Sequence, residues 1–144
     1  VSIEINKYNT NEISPELSSS TVEFLHNSLD EFKDSKEAIG ACLDYASDAN
    51  RGGWLYHALD EGQIVGAVVL NKTHMKGYVP ENFLVYIAVD SKMRGKGVGK
   101  LLMKQVIDDL NANISLHVEP HNPAKFLYEK LGFTNKYLEM RYTP

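Results

Sequence analysis

Residues 83–111 constrain the fold more than any other stretch of this chain. Phe83–Val89 is a nearly unbroken apolar run of strand length, and Asp90-Ser91-Lys92-Met93-Arg94-Gly95-Lys96 is short, basic and glycine-containing. From Gly97 to Asn111, Val98, Leu101, Leu102, Val106, Ile107 and Leu110 then recur on one helical stripe. A strand that is apolar throughout is expected to be covered on both faces, so the chain calls for a central sheet flanked by helices.

The flanking segments fit that plan. Val1–Lys7 alternates Ile3 and Ile5 as a short strand, and Ser14-Pro15 reads as a helix cap followed by proline at the first helical position. Val22, Leu25, Leu29 and Phe32, then Ala38, Cys42, Tyr45 and Ala49 after a Ser35 cap, predict two amphipathic helices over about residues 15–49. Arg51-Gly52-Gly53 ends the pattern. Trp54–Leu59 and Gln63–Leu70 form a hairpin across Asp60-Glu61-Gly62, and residues 71–82 are a polar loop with Gly77 and Pro80. Ile114–Val118 resumes a strand, Pro123–Leu131 is a short helix stopped by Gly132, and Tyr137–Tyr142 is a final strand. No repeat or linker interrupts the series, so residues 1–144 are expected to form a single α/β (α+β) domain around a mixed sheet.

Composition narrows the function. At 43% hydrophobic and 24% charged residues the chain is globular in character, and no apolar run approaches the roughly 20 residues that span a bilayer, so no membrane association is expected. Val1 opens no secretory-type pattern, which makes the cytoplasm the expected location. The single cysteine, Cys42, excludes an intrachain disulfide, and no His/Cys cluster has zinc-ligand spacing, so no metal is expected. A net charge of −4 does not suit a nucleic-acid partner. The charge is uneven: residues 1–72 carry 5 Lys+Arg against 12 Asp+Glu, and residues 73–144 carry 10 against 7. A cleft between the halves would favour an anionic cofactor on the second and a cationic partner on the first.

The glycine loop is where chemistry enters. A helix N-terminus has four backbone N–H groups without intrahelical partners and a partial positive charge, so it holds an anion without side-chain ligands. Glycines let a phosphate approach that backbone, and Arg94, Lys96 and Lys100 add attraction at the rim. A diphosphate is the natural ligand. A P-loop needs glycine and Ser/Thr where Arg94 and Leu101 stand, and a dinucleotide fingerprint needs glycine where Lys100 stands.

Arg94-x-x-Gly97-x-Gly99, following an apolar strand and opening a helix, closely resembles the cofactor-binding signature of the GNAT superfamily of acyl-CoA N-acyltransferases. A second block, Leu116, Val118, Ala124 and Leu127-Tyr128-Glu129-Lys130-Leu131-Gly132-Phe133, is similar to that family's other characteristic segment. The resemblance implies a mostly antiparallel sheet of about seven strands with about four helices, and two splayed central strands, here 83–89 and 114–118. It implies acetyl-CoA as donor. The backbone of Ile87, Ala88 and Val89 would bind pantetheine and the thioester carbonyl, and Arg94, Gly95, Lys96, Gly97, Val98, Gly99 and Lys100 would hold the pyrophosphate. Tyr128 would contact the cofactor and return a proton to the leaving thiolate. The family's asparagine contact falls at His121, one residue before Asn122, so either residue is a candidate.

The proton acceptor is less defined. The central strand carries Val85 and Tyr86 where some family members have a glutamate, and His117 stands where others have one. A water chain ending at Glu81, Glu119 or His117 is therefore expected to serve as base. Cys42, on an apolar stripe, reads as core, so direct transfer is expected without an acyl-enzyme. By resemblance the acceptor pocket lies in residues 15–49 and 71–82. Asp30, Glu31 and Asp34 would attract a cation, and His74, Lys76 and Tyr78 would meet a carboxylate. A small amino-acid-like or polyamine amine fits best. A protein N-terminus, a lysine side chain or a non-catalytic acyl-CoA sensor are the alternatives. A homodimer through sheet edges is a further expectation, with Tyr137–Tyr142 as the candidate strand.

Overall fold

The computed structural model describes residues 2–144. Five strands, β1 (Glu4–Asn9), β2 (Gly53–Asp60), β3 (Gln63–Lys72), β4 (Asn82–Val89) and β5 (Ile114–Leu116), lie side by side in chain order. β1 to β4 are antiparallel neighbours, and β5 runs parallel to β4. The four helices are α1 (Pro15–Ser28), α2 (Lys36–Ser47), α3 (Val98–Leu110) and α4 (Ala124–Lys130). Among the described residues no helix is long and apolar enough to cross a membrane.

The local signals act as read. Ser14 accepts from the Leu17 N–H at 3.1 Å with Pro15 in the first turn, and Ser35 accepts from the Ala38 N–H at 3.1 Å, so each cap satisfies an otherwise unpaired donor. Residues of β2 and β3 alternate between two apolar layers. Leu55, Ala67 and Val69 pack with Leu25, Ile39 and Leu43 of α1 and α2. Tyr56, Val68 and Leu70 pack with Leu102 and Val106 of α3 and Tyr128 of α4. Both faces of the sheet are thus covered, which is why these strands are apolar without alternation.

The strand count departs from the expected seven. The last predicted strand, Tyr137–Tyr142, has no ladder partner among the described residues and is not a strand here. Period-two patterning makes a segment fit to be a strand, but only a neighbour makes it one. β5 likewise ends at Leu116 rather than Val118.

Two irregularities open the sheet at its centre. Tyr86 stands opposite Val69 and Leu84 opposite Leu70, leaving Val85 as an extra residue in β4, a bulge that bends the strand. On the other side, β4 pairs with β5 only from Asn82 to Leu84, against Ile114 to Leu116. Beyond that point the two strands part, and the β5-facing backbone of residues 85–89 is left without a strand neighbour.

His57, in the middle of β2, is 2% exposed. Thr21 uses its only hydroxyl proton on the Leu17 carbonyl at 2.6 Å, so it accepts the His57 Nε2–H at 2.8 Å. Burial lowers the imidazole pKa from 6.5 to about 4. Between those values the unfolded chain binds a proton that the folded chain does not, so stability falls as pH drops. This residue alone is expected to remove about 3 kcal/mol between pH 6.5 and 4. Urea titrations of the parent and of His57→Gln across that window check it: equal losses in both would remove the assignment.

Candidate acyl-transfer site

The site begins at the turn from β4 into α3. Gly95 (φ +79°) and Gly97 (φ +82°) both adopt the left-handed conformation that side-chain-bearing residues avoid. Gly97 opens α3 without a side-chain cap, so the N–H groups of the first turn face outward unsatisfied by the protein's own side chains. They border a depression of about 230 Å³ that brings together Val89, Arg94, Gly95, Gly97, Val98, Gly99 and Lys100, with Met93 and Leu127. Seven of the residues expected at the cofactor therefore converge. Of the other backbone positions, Ile87 and Val89 turn their side chains toward the α3 layer and Ala88 toward the α1–α2 layer, so what β4 offers a ligand there is main chain. Lys96 is exposed outside the depression.

Arg94 does something the sequence did not announce. Its guanidinium donates to the Val89 carbonyl at 3.2 Å, to the Ser28 carbonyl at the end of α1 at 2.8 Å, and to Asp30 Oδ2 at 2.6 Å. The side chain thus clamps the loop to the α1–α2 connector, while the Arg94 N–H donates to the Ser91 carbonyl at 3.4 Å.

Tyr128 lies across the gap on α4. Its ring is 7% exposed and stands 6.0 Å from that of Phe133. Its hydroxyl has no protein partner among the described residues, yet no fully buried side-chain oxygen or nitrogen there goes unpaired, so the hydroxyl meets open space. Burial pushes the phenol up to about 12, which keeps it protonated across the neutral range and able to donate.

Other expected residues are placed differently. Asn122 Oδ1 accepts the Ala124 N–H at 2.9 Å, which commits that oxygen to the start of α4, and His121 leans on Phe32 at 5.2 Å between ring centroids. His117 lies just past β5, exposed, its ring edge-on to Phe83 at 4.8 Å. Glu81 accepts from Asn113 Nδ2 at 3.1 Å, ahead of β4. In the acceptor region, Asp30 is taken by Arg94, and His74 bonds the Arg51 carbonyl through Nε2. Tyr78 is 79% exposed.

The sequence reading set Tyr86 aside, and the fold gives it a partner. Its hydroxyl donates to Asp34 Oδ2 at 2.7 Å, joining the strand just past the bulge to the segment before α2. Burial, then the Asp34 carboxylate, raise the Tyr86 phenol far above its usual range. Only the sequence position after Val85 hinted at this, and a separation of 52 residues hid the pair.

Cys42 is buried in the α1–α2 layer, its thiol pushed up to about 12 by desolvation. It is expected to resist iodoacetamide at pH 8 in the folded chain and to react fully in denaturant; mass spectrometry of the native sample showing rapid labelling would contradict this. No group of three or more potential metal ligands gathers among the described residues. A larger, open hollow of about 400 Å³ beside Asn9, Thr10, Trp54 and Lys72 lies at the other end of the sheet, with the Lys72 ammonium already 4.9 Å above the Trp54 ring.

Comparison with known proteins agrees with this geometry. Residues 13–133 match the model of the acetyltransferase (GNAT) family. Over 104 residues the chain is 32% identical to 5-NmdU N-acetyltransferase of Pseudomonas phage PaMx11, covering 71% of this chain and 72% of that protein. It is 31% identical over 90 residues to the ribosomal protein bS18-alanine N-acetyltransferase of Haemophilus influenzae, covering 60% of this chain and 58% of that protein. Among solved structures, the NatC complex bound to Gag peptide and CoA superposes with a TM-score of 0.69 at 23% identity, over 93% of this chain and 87% of the matched one. With the family model spanning both the glycine loop and the Tyr128 helix, the chain belongs to the acetyltransferase (GNAT) family.

Proposed function

We propose that this enzyme transfers the acetyl group of acetyl-CoA to a small primary amine by direct attack in a ternary complex. The observation that carries the reading is the alignment of three features along one groove: the donor-rich depression at the start of α3, the open edge of β4 beyond Leu84, and the unpartnered Tyr128 hydroxyl. The pyrophosphate takes the N–H groups of Gly97, Val98 and Gly99, and the pantetheine arm pairs with the main chain of Ile87–Val89 as a strand would. A main-chain N–H of β4 then receives the oxyanion that forms when the amine attacks the thioester. Collapse expels the CoA thiolate, which takes the Tyr128 proton, and the tyrosinate is reprotonated from solvent.

The amine approaches from the α1–α2 side, where Tyr86, Phe83 and His117 line the sheet. Asp34 accepts from Tyr86 through Oδ2 and has a second carboxylate oxygen for an ammonium group. Proton removal from the ammonium runs through water to His117, Glu119 or Glu81. A second reading, acetylation of a protein N-terminus, is favoured by the resemblance to the bS18-alanine enzyme. Thiol release from acetyl-CoA, assayed with polyamines, amino acids, an aminomethyl nucleoside and Ala-starting peptides, tests both. Turnover confined to peptides would replace the small-amine reading, and no turnover with any of them would leave CoA binding alone.

A further inference from the structure

We propose that Asp30 is a positioning residue for the amine: through its ion pair with Arg94 it ties the α1–α2 connector to the glycine loop, and so fixes the Asp34 carboxylate for the ammonium group. This role presupposes the acyl-transfer reading, since it concerns how the acceptor side of that site is held.

Residues 28–34 are tied to three segments that border the gap between β4 and β5. From the turn after β4, the Arg94 guanidinium donates to the Ser28 carbonyl at 2.8 Å and to Asp30 Oδ2 at 2.6 Å. From β4 itself, the Tyr86 hydroxyl donates to Asp34 Oδ2 at 2.7 Å. From the loop after β5, the His121 ring meets that of Phe32 with centroids 5.2 Å apart. A single short connector therefore reaches from one parted strand to the other. Asp30 also holds a φ of +53°, a left-handed conformation that side-chain-bearing residues avoid. Such a conformation persists where its surroundings over-determine it, and the Arg94 bonds do so here.

The two carboxylates divide the work. Asp30 accepts directly from a guanidinium, so its charge is offset on the spot and draws an approaching cation little. Asp34 accepts from a phenol and has its other oxygen for an ammonium group. A tight turn links them: the Phe32 N–H donates to the Leu29 carbonyl at 3.0 Å, and the Lys33 N–H to the Asp30 carbonyl at 3.2 Å. Pinning Asp30 thus limits where Asp34 can go. With the pin removed, the amine must order the connector as it binds, and that cost appears in its KM. Because the pin is Arg94, the loop proposed to hold the diphosphate also holds the wall that receives the amine.

Asp30→Asn tests the role, because it removes the charge and keeps a residue that tolerates the left-handed conformation. Thiol release is followed at saturating acetyl-CoA with the fastest amine among polyamines, amino acids and an aminomethyl nucleoside. The amine KM is expected to rise about fivefold, the most an exposed ion pair usually gives, with kcat and the CoA dissociation constant within about twofold of the parent's. In an Arg94→Gln background the same substitution is expected to add nothing. An unchanged KM in the parent background would overturn the proposal. So would an undiminished rise in the Arg94→Gln background, which would mean that Asp30 meets the amine itself. Deuterium exchange of the ligand-free chain needs no turnover. Asp30→Asn is expected to speed the amides of residues 29–35 together with those of 94–97, leaving β2 and β3 at the parent's rates, and unchanged exchange at 29–35 would also overturn the proposal. With no turnover on any amine, acyl transfer and the role of Asp30 in it would fall, and the exchange result alone would decide whether Asp30 links connector and loop.

Discussion

Replacing Gly97 by valine is expected to weaken CoA binding about a hundredfold while leaving the chain folded. Gly97 holds a φ of +82°, where an L-residue is strained by roughly 1–2 kcal/mol and a β-branched one by more. The space around its missing side chain is open, with nothing within 4 Å, so the added atoms strain no packing but stand where the diphosphate must approach. Losing one charge-assisted N–H contact, at about 1.5–3 kcal/mol, already accounts for tenfold or more, and the altered backbone disturbs a second. Calorimetric titration with CoA, with the circular dichroism spectrum as a fold control, is the check. A dissociation constant within twofold of the parent's would mean that the diphosphate sits elsewhere.

Tyr128→Phe separates chemistry from binding. The hydroxyl has no protein hydrogen-bond partner among the described residues, so its removal is expected to leave the melting temperature and CoA affinity nearly unchanged. Turnover is expected to fall by about 10²-fold or more, the usual contribution of a positioned proton donor. With the phenol pushed up to about 12, the parent is expected to show no loss of rate on the basic side attributable to this residue in the working range. Emergence of the thiolate in the same apolar surroundings raises its own basicity and narrows the gap with the donor. Steady-state thiol release measures the effect, and a kcat within a factor of two would assign the ring to packing alone.

What could be read in advance follows the range of the interactions. The strand, loop and helix at 83–110 were legible because an apolar run, glycine spacing and a 3.6-residue stripe are all local, and the Ser14 and Ser35 caps are fixed by the next three residues. The Val85 bulge was not legible, because it exists only as a mismatch in register with β3. Arg94 shows the same limit: its guanidinium reaches Asp30 across 64 residues, a clamp on the loop that local spacing does not show. Asn122 Oδ1 accepts the Ala124 N–H, a contact set by two residues of chain. Tyr137–Tyr142 carried the alternation of a strand, but alternation describes a face and not a neighbour.

The parting of β4 and β5 bears on how the molecule comes undone. Hydrogen-bonded pairing joins β5 to the sheet through three residue pairs, and the remaining cohesion of α4 is side-chain packing against α3 and the strands. Segments held this way open with a smaller free energy than the antiparallel meander of β1–β4. Residues 114–133 are thus expected to form a separate exchange unit, whose amides open to deuterium before those of β2 and β3. A ligand bridging the two strands would weld that unit to the rest, so residues 114–133 would report occupancy through their own rate of opening.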